Sequence, residues 1–346
     1  MPEPATGSPK VHALSHRPVR TSTDSAGTLA PMTSSAFVFP GQGSQSVGMG
    51  RSLAAQYPEA QAVFDEADRA LGEPLSELIF NGPAEALTLT ENTQPAILTM
   101  SVAAYRVLAA RGIGPALVAG HSLGEYSAHV AAGTIAFADA VRLVRHRGQY
   151  MQEAVPVGTG AMAAILGLGA EAVAQACREA SEDEVVSPAN LNAPGQIVIA
   201  GNAAAVTRAM ARAKALGAKR AVPLQVSAPF HCALMKPAEQ RLEPELRALN
   251  AHDPRVPVVA NVDAEAKNDA ASAIDALVRQ VSAPVRWEEV MQRLVEHGAR
   301  TFIEVGPGSV LCGLGKKTAR DATFVNFAAP EDLATVHPAL AAYELR

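Results

Sequence analysis

The pentapeptide Gly120-His121-Ser122-Leu123-Gly124 is where residue type and spacing first offer chemistry. It fits G-x-S-x-G, a pattern that sets a serine on a sharp strand-to-helix turn and exposes its hydroxyl. Such a hydroxyl can attack an acyl carbon once a neighbouring base takes its proton. The flanking glycines leave room for the turn and for a closely packed helix. The N–H groups opening that helix, and the positive end of its dipole, suit a developing oxyanion. Alone the pattern is weak, because a serine N-cap between two packing glycines has the same sequence.

The base that such a serine needs is usually histidine. The chain has nine histidines. His12 and His16 lie in an N-terminal tail, and the side chain of His121 should point away from the serine. His129 and His146 sit on helices, and His252, His297 and His337 flank turns or the C-terminus. His231 stands in Ser227-Ala228-Pro229-Phe230-His231-Cys232-Ala233-Leu234-Met235, where the chain leaves a small insert. A turn residue at such a boundary can overhang a cleft. The α/β-hydrolase order of Ser, Asp/Glu and late His would instead recruit Asp263 with His297 or His337. Neither histidine follows a late strand. A Ser–His pair steadied by a backbone or amide carbonyl reads better, since a neutral acceptor still fixes the imidazole tautomer.

Two further features could serve such chemistry. The turn Gly41-Gln42-Gly43-Ser44-Gln45 lacks the Walker lysine and the third Rossmann glycine. It is either an ordinary glycine turn or a loop offering a backbone N–H to an oxyanion. The helix predicted over 137–154 has the apolar stripe Phe137, Val141, Val144, Gly148 and Met151. At ~100° per residue Arg145 and Arg147 flank that stripe on opposite sides, while Arg142 faces solvent. Either flanking arginine can grip a carboxylate with two parallel bonds, and periodicity does not choose between them. The plain alternative is a solvated helix face.

These groups need a scaffold of alternating strands and helices. An apolar strand at Ala36–Pro40 precedes helical patterns over 49–70, broken near Pro58, and over 95–111. A short buried strand, Ala116–Ala119, runs straight into a helix from about Leu123, and Phe137–Ala154 reads as another. This order argues for a parallel sheet covered by helices. The rhythm then changes. Strands at Ala161–Leu168, Glu184–Ala189, Gln196–Ala200 and Arg220–Gln225 alternate with helices at Ala170–Ala180 and Ala203–Leu216. That is β-α-β-β-α-β, the ferredoxin-like order. Val256–Val262, helices at 272–281 and Trp287–Glu296, and the strand Thr301–Val305 resume the larger unit. The expected architecture is α/β: a hydrolase-like parallel-sheet subdomain over 32–157 and 228–346, with a ferredoxin-like insert over 158–227.

Composition bounds the rest. The 346 residues carry a net charge of -5, which gives no support to a nucleic-acid partner. Cys177, Cys232 and Cys312 form no C-x-x-C pair, so small buried thiols in a reducing compartment are expected, not disulfides or a metal site. No apolar run approaches the ~18 residues of a membrane span, and no signal-peptide core is visible. A cytoplasmic protein is expected by default. Residues 1–31 are rich in Pro, Ser, Thr and basic residues and read as a disordered tail, with Met32 as the natural start and a transit peptide as the competing idea.

Taken together, the motifs resemble the malonyl-CoA:acyl-carrier-protein transacylase family of fatty acid synthesis. The resemblance covers nearly all of residues 34–330. It rests on Phe39-Pro40-Gly41-Gln42-Gly43-Ser44-Gln45, Gly120-His121-Ser122-Leu123-Gly124-Glu125-Tyr126-Ser127 and Arg147-Gly148. It rests also on Asn190-Leu191-Asn192-Ala193-Pro194-Gly195-Gln196, Pro229-Phe230-His231-Cys232-Ala233-Leu234-Met235 and Glu304-Val305-Gly306-Pro307-Gly308.

What the resemblance implies is concrete. Ser122 would take the malonyl group from malonyl-CoA as an ester, with His231 as base and then acid. The Gln280 backbone carbonyl would orient the imidazole, and the N–H groups of Gln42 and Leu123 would form the oxyanion hole. Arg147 would pair with the malonyl carboxylate, and Asn192 and Gln94 would touch substrate. The acceptor would be the phosphopantetheine thiol of acyl carrier protein, with no metal and no cofactor of the enzyme's own. Phe230 departs from the serine often found before the histidine, and in related polyketide acyltransferases phenylalanine accompanies malonyl choice. An acidic carrier would need a local basic patch on this net-negative chain. Lys214, Lys219, Arg220, Lys316 and Lys317 are candidates, with solvated lysines as the plain alternative. The rival functions are a serine thioesterase using the same pair, an inactive carrier-binding module, and a polyketide or malonate-decarboxylase transacylase.

Overall fold

The computed structural model describes residues 1–2, 35–156, 158–226 and 228–344. The tail expected over 1–31 lies outside the described residues apart from Met1 and Pro2, and Met32 lies outside them too.

Strands β1 (Ser35–Phe39) and β2 (Leu117–Gly120) belong to one sheet. A second sheet contains β3 (Gly160–Leu166), β4 (Val186–Ala193), β5 (Gln196–Asn202) and β6 (Arg220–Pro223). The chain then returns to the first sheet with β7 (Val258–Val259), β8 (Ala266–Lys267), β9 (Thr301–Val305) and β10 (Thr323–Phe327). The first sheet is six-stranded, in the order β10-β9-β1-β2-β7-β8. All its pairings are parallel except β7 with β8, a short antiparallel edge.

Because side chains alternate along a strand, β1 feeds two cores. Phe37 and Phe39 face the helices Thr90–Ala109, Leu123–Ala132 and Phe137–Glu153. Ala36 and Val38 face Trp287, Val290 and Leu294 of the helix Trp287–Glu296. A parallel sheet buried on both faces requires such continuous apolar strands. The second sheet runs β4-β5-β3-β6, all antiparallel, and packs a separate core against the helices Ala170–Ser181 and Ala203–Ala215.

Several boundaries differ from expectation. The helix expected from Pro95 begins at Thr90, with Pro95 inside it. The strand expected over Val256–Val262 pairs only at Val258–Val259, because the backbone turns at Ala260, whose N–H reaches Glu265, and at Ala264, with φ 56. β4 runs on to Ala193 through two register shifts, so Asn192 sits in the strand and not in the loop. Among the described residues, the helices Leu75–Asn81, Ala84–Thr88, Lys236–Arg247, Val310–Thr318 and Leu333–Glu344 and strand β10 were not anticipated. Prolines at 237, 244 and 338 obscure the helical pattern in two of these helices.

Candidate active site

In parallel sheets, ligands bind beyond the carboxyl ends of the strands. Three adjacent strands meet that rule here. β1 runs into Pro40–Gln45, β2 into Ser122, and β7 into Asn261. Ser122 has φ 51 and ψ -109, a strained conformation for a residue with a Cβ. Close approach of strand and helix sustains it. A Cβ on Gly124 would stand 2.0 Å from the Phe39 carbonyl oxygen, and one on Gly120 1.9 Å from Gly124. Both glycines are steric necessities of the turn.

Ser122 Oγ lies 2.7 Å from His231 Nε2. His231 Nδ1 lies 3.1 Å from the backbone oxygen of Gln280. A carbonyl only accepts, so Nδ1 carries the proton and Nε2 is left free to accept the serine's. His231 is itself left-handed, with φ 60. Burial, followed by the nearby charge of Arg147, pushes its pKa down to about 3, so the ring is neutral at neutral pH.

Arg147 is 1% exposed. Its Nη1 donates to Gln94 Oε1 at 2.8 Å, and its Nη2 to Gln280 Oε1 at 2.9 Å and to Ser122 Oγ at 3.2 Å. Its guanidinium also lies 5.3 Å from the centre of the Tyr126 ring, within cation–π range. Gln94 reaches it because the two helices touch at Gly148, where a Cβ would come 2.8 Å from the Thr90 oxygen. Arg145 points elsewhere, to Glu73 and Asn92, and Arg142 pairs with Asp139 at the surface. The choice that helical periodicity left open therefore has a structural answer: Arg147 reaches the serine and Arg145 does not.

A cavity of about 420 Å³ opens at this point. Gln42, Gln94, Ser122, Leu123, Arg147, Asn192, Phe230 and His231 all line it. The second sheet contributes Asn192, held there by a bridge between Asn190 and Val285. His121 corrects an expectation: its side chain does not point away but lines the same cavity, with Nε2 2.8 Å from Asn192 Oδ1 and its ring edge-on to Trp287. A triad of Ser122 with Asp263 and a late histidine finds no support in the geometry, because Asp263 pairs with Lys267 and Arg279. Among the described residues no group of His, Cys, Asp and Glu could hold a metal ion, and no helix is long and apolar enough to cross a membrane.

Two site residues went unassigned in the sequence. The Asn261 carboxamide accepts the Ser122 backbone N–H at 2.7 Å and donates to the Gly120 oxygen at 2.7 Å. The fully buried Glu125 accepts from the Asn261 backbone N–H at 3.0 Å and from Gln280 Nε2 at 2.9 Å. Burial raises its pKa to about 7. The available signal was a carboxylate in the first turn of a helix whose remaining residues are almost all apolar.

Comparison with known proteins bears on this site. The acyl transferase domain family matches residues 36–340. The malonyl CoA-acyl carrier protein transacylase of Escherichia coli strain K12 is 57% identical over 287 residues, covering 83% of this chain and 93% of its own length. The chain belongs to the malonyl-CoA:acyl-carrier-protein transacylase family. Solved transacylases share its fold. The acyl carrier protein S-malonyltransferase of Vibrio cholerae superposes with a TM-score of 0.86 at 51% identity, covering 87% of this chain and 99% of that one. A malonyl-transacylase solved in complex with a type II PKS acyl-carrier protein gives 0.85 at 48% identity, covering 87% and 98%.

Proposed function

We propose that this protein is an acyltransferase that moves the malonyl group from malonyl-CoA to the phosphopantetheine thiol of acyl carrier protein, supplying fatty acid elongation. One observation carries the reading: a serine oxygen shared by a neutral histidine acceptor at 2.7 Å and a buried arginine at 3.2 Å. His231 Nε2 takes the proton as Ser122 Oγ attacks the thioester carbon. The backbone N–H groups of Gln42 and Leu123 receive the oxyanion; both residues line the cavity, and one such donor is worth about 2.7–4 kcal/mol in the transition state. The C–S bond then breaks, and Nε2 returns its proton to the departing coenzyme A thiolate. The carrier thiol reverses these steps on the malonyl-serine ester, completing a ping-pong cycle. The Gln280 backbone carbonyl holds the imidazole throughout.

Arg147 recognises the malonyl carboxylate, for which a planar guanidinium fork is the fitting group. Gln94 fixes the fork from behind, and Asn192 contacts the acyl chain or pantetheine. No metal or cofactor of the enzyme's own enters these steps.

Among the described residues, the second sheet and its two helices form a ferredoxin-like subdomain within the expected 158–227, inserted into a hydrolase-like subdomain within the expected 32–157 and 228–346. The strand order β4-β5-β3-β6 and the separate apolar core support that division. The exposed Lys214, Lys219, Arg220, Lys316 and Lys317 are proposed contacts for the acidic carrier. Free, buried Cys177, Cys232 and Cys312 support a cytoplasmic setting.

Mass spectrometry after incubation with malonyl-CoA tests the reading. The wild type should gain one malonyl group, Ser122→Ala none, and added acyl carrier protein should remove it as malonyl-carrier. Release of the group to water at the same rate with and without carrier would make this a thioesterase instead.

A further inference from the structure

The proposed chemistry leaves a buried carboxyl beside the site without a task. Glu125 is 0% exposed and does not touch the cavity, yet it bonds to a residue that touches both Ser122 and Arg147. That residue is Gln280, itself 0% exposed.

A carboxamide is polar in one direction: its nitrogen only donates and its oxygen only accepts. Gln280 Nε2 donates to the Ser122 backbone oxygen at 2.8 Å and to Glu125 Oε2 at 2.9 Å. Both amide hydrogens are thereby used. The oxygen is left on the opposite side, where it accepts from Arg147 Nη2 at 2.9 Å. A flipped carboxamide would set oxygen against the acceptors Glu125 Oε2 and Ser122 O, and –NH₂ against the guanidinium. Unpaired buried polar contacts of that kind are costly.

Glu125 Oε2 also accepts the Asn261 backbone N–H at 3.0 Å, which anchors the carboxyl from a second strand end. Its position is therefore fixed independently of Gln280, as an orienting group requires.

We propose that Glu125 is a positioning residue for malonyl recognition: it sets the direction of the Gln280 carboxamide, and the Gln280 oxygen then holds Arg147 where a malonyl carboxylate can meet it. The proposal rests on the transacylase reading above. It assigns Glu125 no contact with substrate.

The test is competition for Ser122. Equal malonyl-CoA and acetyl-CoA are presented together, and the ratio of malonyl-enzyme to acetyl-enzyme is read by mass spectrometry. The ratio reports selectivity and is insensitive to a loss of active protein. Glu125→Leu removes the acceptor and should lower the ratio by about tenfold or more, the order expected for a lost charge-assisted bond. Glu125→Gln keeps an acceptor oxygen and should hold the ratio within about threefold of wild type. Glu125→Asp, which retracts the oxygen by one methylene, should lower the ratio as well and serves if the leucine variant does not fold. An unchanged ratio in the leucine or aspartate variant, or an equal fall with glutamine, overturns the proposal. A wild type that forms no malonyl adduct sinks the transacylase reading itself, whatever the Glu125 variants do.

Discussion

Asn261 and Ser122 stand 139 positions apart in the chain, yet the Asn261 side chain accepts the Ser122 backbone N–H at 2.7 Å. The same carboxamide donates to the oxygen of Gly120, so one side chain grips the strained turn on both sides of His121. Neither partner is a reacting group. The nucleophile is held by its backbone, which leaves the hydroxyl free for His231 and Arg147.

Asn261→Ala should therefore damage both stability and rate. It strands a half-buried N–H and a buried carbonyl, the latter alone at about 1–3 kcal/mol. A lower urea midpoint together with slower malonylation of Ser122 is the expected pair. Full activity with only a lowered midpoint would show that the grip is structural and no more.

Much of this was legible in the sequence, and the boundary is physical. Ser122 and His231 could be picked out because G-x-S-x-G and a subdomain exit are local features. Arg147 and Arg145 could not be separated by periodicity, because both flank the apolar stripe. What separates them is reach: Arg147 meets Gln94, Gln280 and Ser122, while Arg145 meets Asn92 of the same neighbouring helix and Glu73. Asn261 carries no local signature, and Glu125 only that of a carboxylate opening a buried helix, which does not name its partners. Their partners come from distant strand ends, and only tertiary structure brings them together. The helix Lys236–Arg247 was missed for the opposite reason, since Pro244 inside it argues locally against what packing of Leu242 and Leu246 sustains.

Arg147→Ala should abolish the preference for malonyl over acetyl. A malonyl carboxylate would then enter a buried site with no cation, while an acetyl group loses nothing it needs. Malonyl transfer should collapse and acetyl transfer survive or rise. An unchanged preference would refute the clamp. Arg147→Lys should recover only part of it, because an ammonium lacks the fork that reaches Gln94 and Gln280 together.

Glycine substitutions should divide by contact. Gly124→Ala drives a Cβ to 2.0 Å from the Phe39 oxygen, backbone against backbone, and should leave little folded protein. Gly313→Ala meets nothing within 4 Å in the helix Val310–Thr318. It should stabilise by about 0.5–1 kcal/mol, from helix propensity and a restricted unfolded chain. Thermal melts of the two variants give the comparison, and equal loss in both would contradict it.

With its pKa near 3, His231 remains an unprotonated acceptor well below pH 6.5. The rate of Ser122 acetylation from acetyl-CoA, which makes no use of the Glu125–Gln280–Arg147 chain, should stay flat as pH falls from 7 to 5. A half-maximum near the ordinary histidine value would mean that the ring is less shielded from water than its burial indicates.

His129 supplies a stability prediction with a definite sign. It is fully buried, and among the described residues neither ring nitrogen has a hydrogen-bond partner. Burial alone pushes its pKa down to about 3, against an ordinary 6.5. As pH falls below 6.5 the unfolded ring takes a proton that the folded ring refuses, so folded stability is present above 6.5 and is lost toward 3. The slope is about 1.4 kcal/mol per pH unit. His231 has the same sign. Glu125 has the opposite one, because its raised value costs stability as pH climbs from 4.5 through about 7. A variant comparison isolates the single group: His129→Leu should gain on the wild type by about 1.4 kcal/mol between pH 7 and pH 5.5 in urea unfolding. A gap that is the same at both pH values would mean that His129 protonates equally in the folded and unfolded chain.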